Sequence, residues 1–498
     1  MRKTWRVWFY GLFVLFWLAA VAVGLEVYEV LHTPAVERAA EAYGKERTAK
    51  GYQENLAIVE ATAATAPQPP PGVKRDVLPR ETFASLDEAG RRDFAGRERA
   101  LAMVCDRQGT MLAVYPSPEP KELAELAGMA RVGASITQLL PTMEGRDALA
   151  AIGQVFASGL HVPREYTLPL PSGVDYVCEF FFNPLKDASG AVEQVAVFVR
   201  DSIWEQTWLR FRPHVYRNAP FEFWTNALGW RDEEVALPKP VDVYRIVCVG
   251  GSTTAQGPRN DLTYPNMLEN KLRQHFDTDR IEVINCGIFA LTSNGETQRL
   301  HDYLALEPDL LIHYNFVNDI GTLLADPPEG LKRLLRKSRF MYRRFNGWLL
   351  PSEAELTERI KNIPIANLER ICTGAKKAGI DVAVCSFACP DLAHLDRLER
   401  DYFDQQINNM VWGRLLNIES YARLAGIYNG LVRDLCEREK VVYVPVAENL
   451  KGGIEYFSDI CHLFVKAMDL KAGIICAHIE SLIARGLPSQ EPQAEQMP

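Results

Sequence analysis

The chain has 498 residues, 47% of them hydrophobic and 24% charged, with a formal net charge of -9. That length suits two or three domains, and that composition suits a buried core of ordinary size. The acidic balance, with no sustained basic stripe and no zinc-finger spacing, argues against nucleic acid as a partner. The ten cysteines sit mostly in apolar, strand-like runs such as RIVCVGG and DVAVCSF. There they act as small hydrophobes, and their spacing is not that of a disulfide framework. Cys385 and Cys389 have no second pair nearby, so no metal is expected.

Val7 to Leu25 (VWFYGLFVLFWLAAVAVGL) is uncharged, preceded by Arg2, Lys3 and Arg6 and followed by Glu26 and Glu29. At about 1.5 Å per helical residue such a run spans a bilayer core, and the flanking charges place the bulk of the chain outside the cytoplasm. Small residues near Ala19 to Ala22 leave a cleaved signal peptide open, but the length and aromatic content favour an uncleaved single-pass anchor over residues 1–28. Ten unpaired cysteines are more usual in a reducing compartment, so the orientation stays open. Residues 29–80 read as a charged, Ala-rich stalk helix ended by Pro67, Pro69, Pro70 and Pro71. The stalk is either solvated or self-associating, the latter giving a homodimer.

Residues 81–206 show a helix, two strands joined by Asp106–Gly109, a helical middle ending at Gly159, and three strands with a turn at Asp187–Gly190. That order makes an α+β domain with one antiparallel sheet. It resembles a PAS domain, a small sensory fold that often binds a ligand or dimerises. A lone His161 does not make a haem site, and no cofactor is expected. Residues 207–242 are a connector rich in aromatics and proline.

From 243 to 488 strands and helices alternate, which implies a three-layer, doubly wound α/β domain with a parallel sheet. Polar groups gather at the strand ends, where sites in such folds lie. Ser252 follows the first strand in VGGSTT, Gly287 ends the second in INCG, and Asn318 ends the third in NFVND. Asp459 and His462 precede the last helix in FSDICH. A serine hydroxyl needs a base, histidine titrates near neutrality, and a carboxylate three residues earlier can steady its imidazolium. The Ser252 and Gly287 N–H groups and the Asn318 amide are candidate oxyanion donors.

These blocks, in this order, resemble the SGNH (GDSL) hydrolases. Gly250-Gly251-Ser252 stands for G-D-S, Gly287 for the second block, Phe316-Val317-Asn318-Asp319 for G-x-N-D and Asp459 to His462 for D-x-x-H. Asn226, Gly229 and Arg231 ahead of the first strand, and Tyr264-Pro265 after it, also fit. The resemblance implies ester hydrolysis through an acyl-serine, with Ser252, Asp459 and His462 as the triad. Phe316 replaces the third-block glycine, a change that would narrow the pocket or shift the backbone of Asn318. The expected activity is membrane-anchored acyl or acetyl ester cleavage, on small molecules or on cell-envelope glycans or lipids. Two alternatives stay open: an O-acyltransferase on the same scaffold, and a PAS-type sensor with a degenerate hydrolase domain. Other serine and phosphate motifs fail, because Thr254 stands where G-x-S-x-G needs glycine and VGGSTTAQG lacks G-K-[ST]. The basic, apolar stretch Leu331–Phe345 reads as a lid, a membrane-surface helix or a solvated insertion. Residues 489–498 are expected to be a disordered tail.

Overall fold

A computed structural model describes residues 2–67, 86–97, 100–117, 121–159, 162–187, 189–202, 209–217, 222–325, 338–408 and 416–487, with single residues between these stretches. The proline linker beyond Pro67, His161, most of 326–337 and the tail lie outside the described residues. The chain divides into two compact units, one formed by 69–220 with 224–229, the other by 1–68, 221–223 and 230–498.

The first unit holds β1 (Leu101–Cys105), β2 (Met111–Tyr115), β3 (Val162–Pro169), β4 (Asp175–Lys186) and β5 (Val192–Asp201). They form one antiparallel sheet in the order β2-β1-β5-β4-β3. Strand alternation sends Leu101, Met103 and Cys105 to one core with Ile152 and Phe180, and Ala102 and Val104 to another with Phe94 and Phe198. Both faces are therefore covered. The turns form where Asp106 and Asp187 carboxylates accept backbone N–H groups two and four residues on.

The second unit holds a parallel sheet of β6 (Tyr244–Gly250), β7 (Ile281–Gly287), β8 (Leu310–Tyr314), β9 (Asp381–Cys385) and β10 (Val442–Val444), in the order β10-β9-β8-β6-β7. Every residue of β6 and β8 is buried, as apolar strands of a sheet covered on both faces must be. Gly250 pairs with Gly287 on one side and with Tyr314 on the other. The chain thus leaves β6, β7 and β8 at one common edge. The third strand is shorter than its apolar run suggests: it ends at Tyr314, and the Asn315 side-chain amide beyond it donates to Leu291 O and Glu296 Oε1, both at 2.8 Å.

The N-terminal helix runs unbroken from Arg2 to Ala61, through Pro34. Among the described residues no helix is long and apolar enough to cross a membrane. The side chains of the expected anchor fall mostly outside those residues. The stalk is neither a free nor a solvated helix. Thr33, Ala40, Gly44, Thr48 and Gly51 make a buried stripe along it, and a Cβ on Gly44 or Gly51 would enter the rings of Tyr402 or Phe464. Tyr43 bonds Asp396 at 3.2 Å, Glu54 pairs with Lys466 at 3.0 Å, and Arg259 donates to Thr62 Oγ1 at 2.7 Å.

Packing through glycine predicts an asymmetric response to added bulk. Gly51→Leu should cost about 1–3 kcal/mol, as overpacking does, and lower the melting temperature of the second unit. Ala49→Leu, on the exposed face, should leave it unchanged in the same thermal scan.

Candidate active site

Ser252 opens a single helical turn, Ser252–Ala255, directly after β6. Two glycines precede it because nothing larger fits. A Cβ on Gly250 would strike Thr254 and the Tyr314 carbonyl, and one on Gly251 would strike the Asn318 amide. The turn is pinned by Arg231, which is fully buried. Its guanidinium donates to Ala255 O, to Gly257 O at 2.8 Å and to Asn260 Oδ1 at 3.1 Å.

Asp459 and His462 lie on a tight loop, closed by Ser458 N donating to His462 O at 2.9 Å and by Phe464 N donating to Tyr456 O at 2.9 Å. His462 Nε2 lies 2.9 Å from Ser252 Oγ, and His462 Nδ1 lies 2.6 Å from Asp459 Oδ2. The other Asp459 oxygen accepts the backbone N–H groups of Cys461 and His462 at 2.9 and 2.8 Å. The structure thus brings all three together, across 210 residues of sequence between Ser252 and His462.

Gln256 ties the two halves. Its amide donates to Leu463 O and accepts from Leu463 N at 3.0 Å. The N-terminal helix adds a brace on the same loop: Val465 N donates to Asn55 Oδ1 at 2.9 Å. Tyr402, packed on Gly44, donates to Ser458 O at 3.2 Å. Neither Gln256 nor Asn55 stands out in the sequence, since a lone amide carries no motif.

The oxyanion donors are placed unequally. The Ser252 N–H starts a helical turn, where no intrahelical acceptor exists. The Asn318 amide lies against Gly251 and gives one hydrogen to Leu291 O at 2.9 Å, leaving the second for a ligand. The Gly287 N–H is engaged: it donates to Asn285 Oδ1 at 3.1 Å. What Gly287 supplies is room, since a Cβ there would run into the backbone of Thr254 and Ala255. Asn318 is held by its neighbours, for Asp319 accepts from Ser293 Oγ at 2.8 Å and from Ser293 N.

Phe316 is a core residue. It is fully buried, stacked on Tyr428 at 4.4 Å and edge-on to Phe387 at 5.8 Å. Its φ of -168° is extended backbone that any residue adopts.

Electrostatics favours a charged pair. Burial raises the Asp459 carboxyl, but the His462 charge and the two backbone N–H donors outweigh it, and the net shift is downward. Burial likewise opposes the His462 imidazolium, yet Cys461 and Asp459 beside it together hold its pKa well above the usual value. Cys461 Sγ lies 3.6 Å from His462 Nδ1, and burial pushes that thiol up to about 11, so it stays neutral. The ligand atoms of Asp459, Cys461 and His462 lie within 4.8 Å of one another. That spacing would suit a metal, but the Asp459–His462 hydrogen bond already accounts for two of the three.

Residues 99–202 match the family model described as a PAS fold, and the antiparallel sheet lies within that span. No curated protein matches the chain. Among solved structures, TesA aligns at 18% identity and a TM-score of 0.30, over 48% of this chain and 99% of its own. A GDSL-like lipase from Bacteroides thetaiotaomicron aligns at 15% identity and 0.28, over 49% and 89%. The psychrotrophic esterase EstA from Pseudoalteromonas sp. aligns at 15% and 0.30, over 48% and 98%.

A base must be neutral to take a proton. With its pKa raised, His462 should give an activity whose acid limb climbs with pH, with its midpoint above about 6.5. Asp459→Asn removes one cause of the rise and leaves the burial. The half-point should then move to lower pH while kcat drops by about 10⁴-fold. Initial rates of ester cleavage from pH 5 to 9 would show both effects.

Proposed function

We propose that the second unit is a serine ester hydrolase working through an acyl-serine. The observation that carries this reading is the hydrogen-bonded line Ser252 Oγ–His462 Nε2, His462 Nδ1–Asp459 Oδ2 at 2.9 and 2.6 Å. As Ser252 Oγ attacks the ester carbonyl carbon, its proton passes to His462 Nε2, and the carbonyl oxygen becomes an oxyanion facing the Ser252 N–H and the Asn318 amide. Collapse expels the alcohol, which takes the proton from His462. Water then attacks the acyl-serine, with His462 as base again, and releases the acid. Asp459 holds the imidazole orientation and supports its positive charge throughout.

The substrate class we propose is acyl or acetyl esters, including those on cell-envelope glycans or lipids. The unit would be held there by the apolar run Val7–Leu25 behind Arg2, Lys3 and Arg6. That placement rests on the sequence. Phe316 belongs to the core and so offers no sign of a degenerate site.

Short acyl p-nitrophenyl esters, rapidly quenched and digested, should yield an acyl adduct on the peptide carrying Ser252. Ser252→Ala should abolish both adduct and turnover, a loss of about 10⁶-fold. Full turnover in a folded Ser252→Ala protein would remove the reading. Adding a glycan acceptor and finding the acyl group on it rather than on water would move the activity to transfer.

A further inference from the structure

Lys471 has no part in the steps above, yet it lies directly behind the nucleophile. It is fully buried on the last helix. Its Nζ donates to the Thr253 carbonyl at 3.0 Å and lies 3.7 and 3.8 Å from the ring centres of Tyr264 and Tyr314. The ionisable groups acting on it are the thiols of Cys385 and Cys248, on β9 and β6, and no carboxylate is among them. Burial holds both thiols neutral. A buried cation without a counter-ion is costly, and a methionine of like shape would fill the space without that cost. Such a group is a candidate for a role in function.

The hydrogen bonds beyond it indicate what it does. The Thr253 carbonyl shares a peptide group with the Thr254 N–H, which donates to Gly251 O at 3.0 Å. The Gly251 carbonyl in turn shares a peptide group with the Ser252 N–H. Each bond in such a chain polarises the next. We propose that Lys471 is a positioning residue that charges the oxyanion hole. Through the two peptide groups it strengthens the Ser252 N–H as a donor, and it fixes the turn that carries the nucleophile. This inference rests on the ester-hydrolase reading.

Burial also lowers the Lys471 pKa to about 7, so the charge would be lost as pH rises past neutrality. The groups facing the ammonium are Tyr264, Tyr314, Cys248 and Cys385, and burial keeps all four protonated through that range.

The test is the rate at which a fluorophosphonate labels Ser252 in the full chain in detergent, from pH 6 to 9, for wild type, Lys471→Gln and Lys471→Met. Near-UV circular dichroism would report on folding. Wild type should lose rate on the alkaline side. Lys471→Gln, which keeps a donor but not the charge, should label about tenfold more slowly at pH 6.5 and show no alkaline fall. That is short of the 10²–10³ lost with a whole oxyanion donor. KM for a neutral ester should hardly change. A folded Lys471→Gln labelling at the wild-type rate, with the wild-type alkaline fall, would overturn the proposal. A purely structural lysine would lower stability and leave the pH profile in place. If neither variant folds, the wild-type profile decides: a rate that climbs to a plateau held to about pH 9 overturns the proposal, and a maximum followed by an alkaline fall supports it. No labelling of folded wild type would instead overturn the hydrolase reading and this inference with it.

Discussion

Ser252 and His462, 210 residues apart in sequence, meet within a hydrogen bond, and the proposed chemistry requires that they stay there. A misplacement of about 1 Å can cost two orders of magnitude in rate, so neither partner can rest on a loose loop. Ser252 is fixed first by the sheet. Gly250 is in register with Gly287 and Tyr314, and the absence of side chains at 250, 251 and 287 lets three strand ends close around one turn. Arg231 ties that turn down on its outer side and Lys471 ties it from below.

The base is fixed differently. Its loop is closed by its own backbone bonds and is also held by elements distant in sequence: Gln256 beside Ser252, Tyr402 on a neighbouring helix, and Asn55 on the N-terminal helix. That helix is therefore part of the second unit. Of its contacts, the Glu54–Lys466 pair is half-exposed and contributes little. The close approach at Gly44 and Gly51 and the Asn55 bond matter more. Several supports are also expensive. Burial lowers the Arg231 pKa to about 9 and raises that of Asp232, which accepts the Asn285 N–H, to about 8. Charges kept inside at that cost mark a place where geometry outweighs stability.

The pattern of the chain made the two sheets legible. Alternating and continuous apolar runs distinguish an antiparallel sheet from a parallel one, and the Asp-x-x-Gly turns fix the hairpins. Ser252 and Asn318 at strand ends, and Asp459 and His462 ahead of the last helix, were visible because the proposed serine chemistry needs those groups in that order. The packing of the N-terminal helix was hidden because its buried face is made of Thr, Ala and Gly rather than Leu and Ile. A stripe of small residues raises no amphipathic signal. The clue was Gly44 and Gly51, seven residues apart on one helical face, each costing helix stability unless something packs there. Phe316 misled for a related reason. A motif mismatch says that the side chain differs, and only the fold says that its ring joins Tyr428 and Phe387 in the core. Lys471 and Gln256 act through single contacts across the fold, which no local pattern encodes.

The account stands on a triad assembled before substrate arrives, and proton NMR of the free protein tests that most directly. A short His462 Nδ1–H···Asp459 hydrogen bond should give a strongly downfield imidazole proton that persists in Ser252→Ala and disappears in Asp459→Asn. Absence of that resonance in folded wild type, or its survival in Asp459→Asn, would contradict the account.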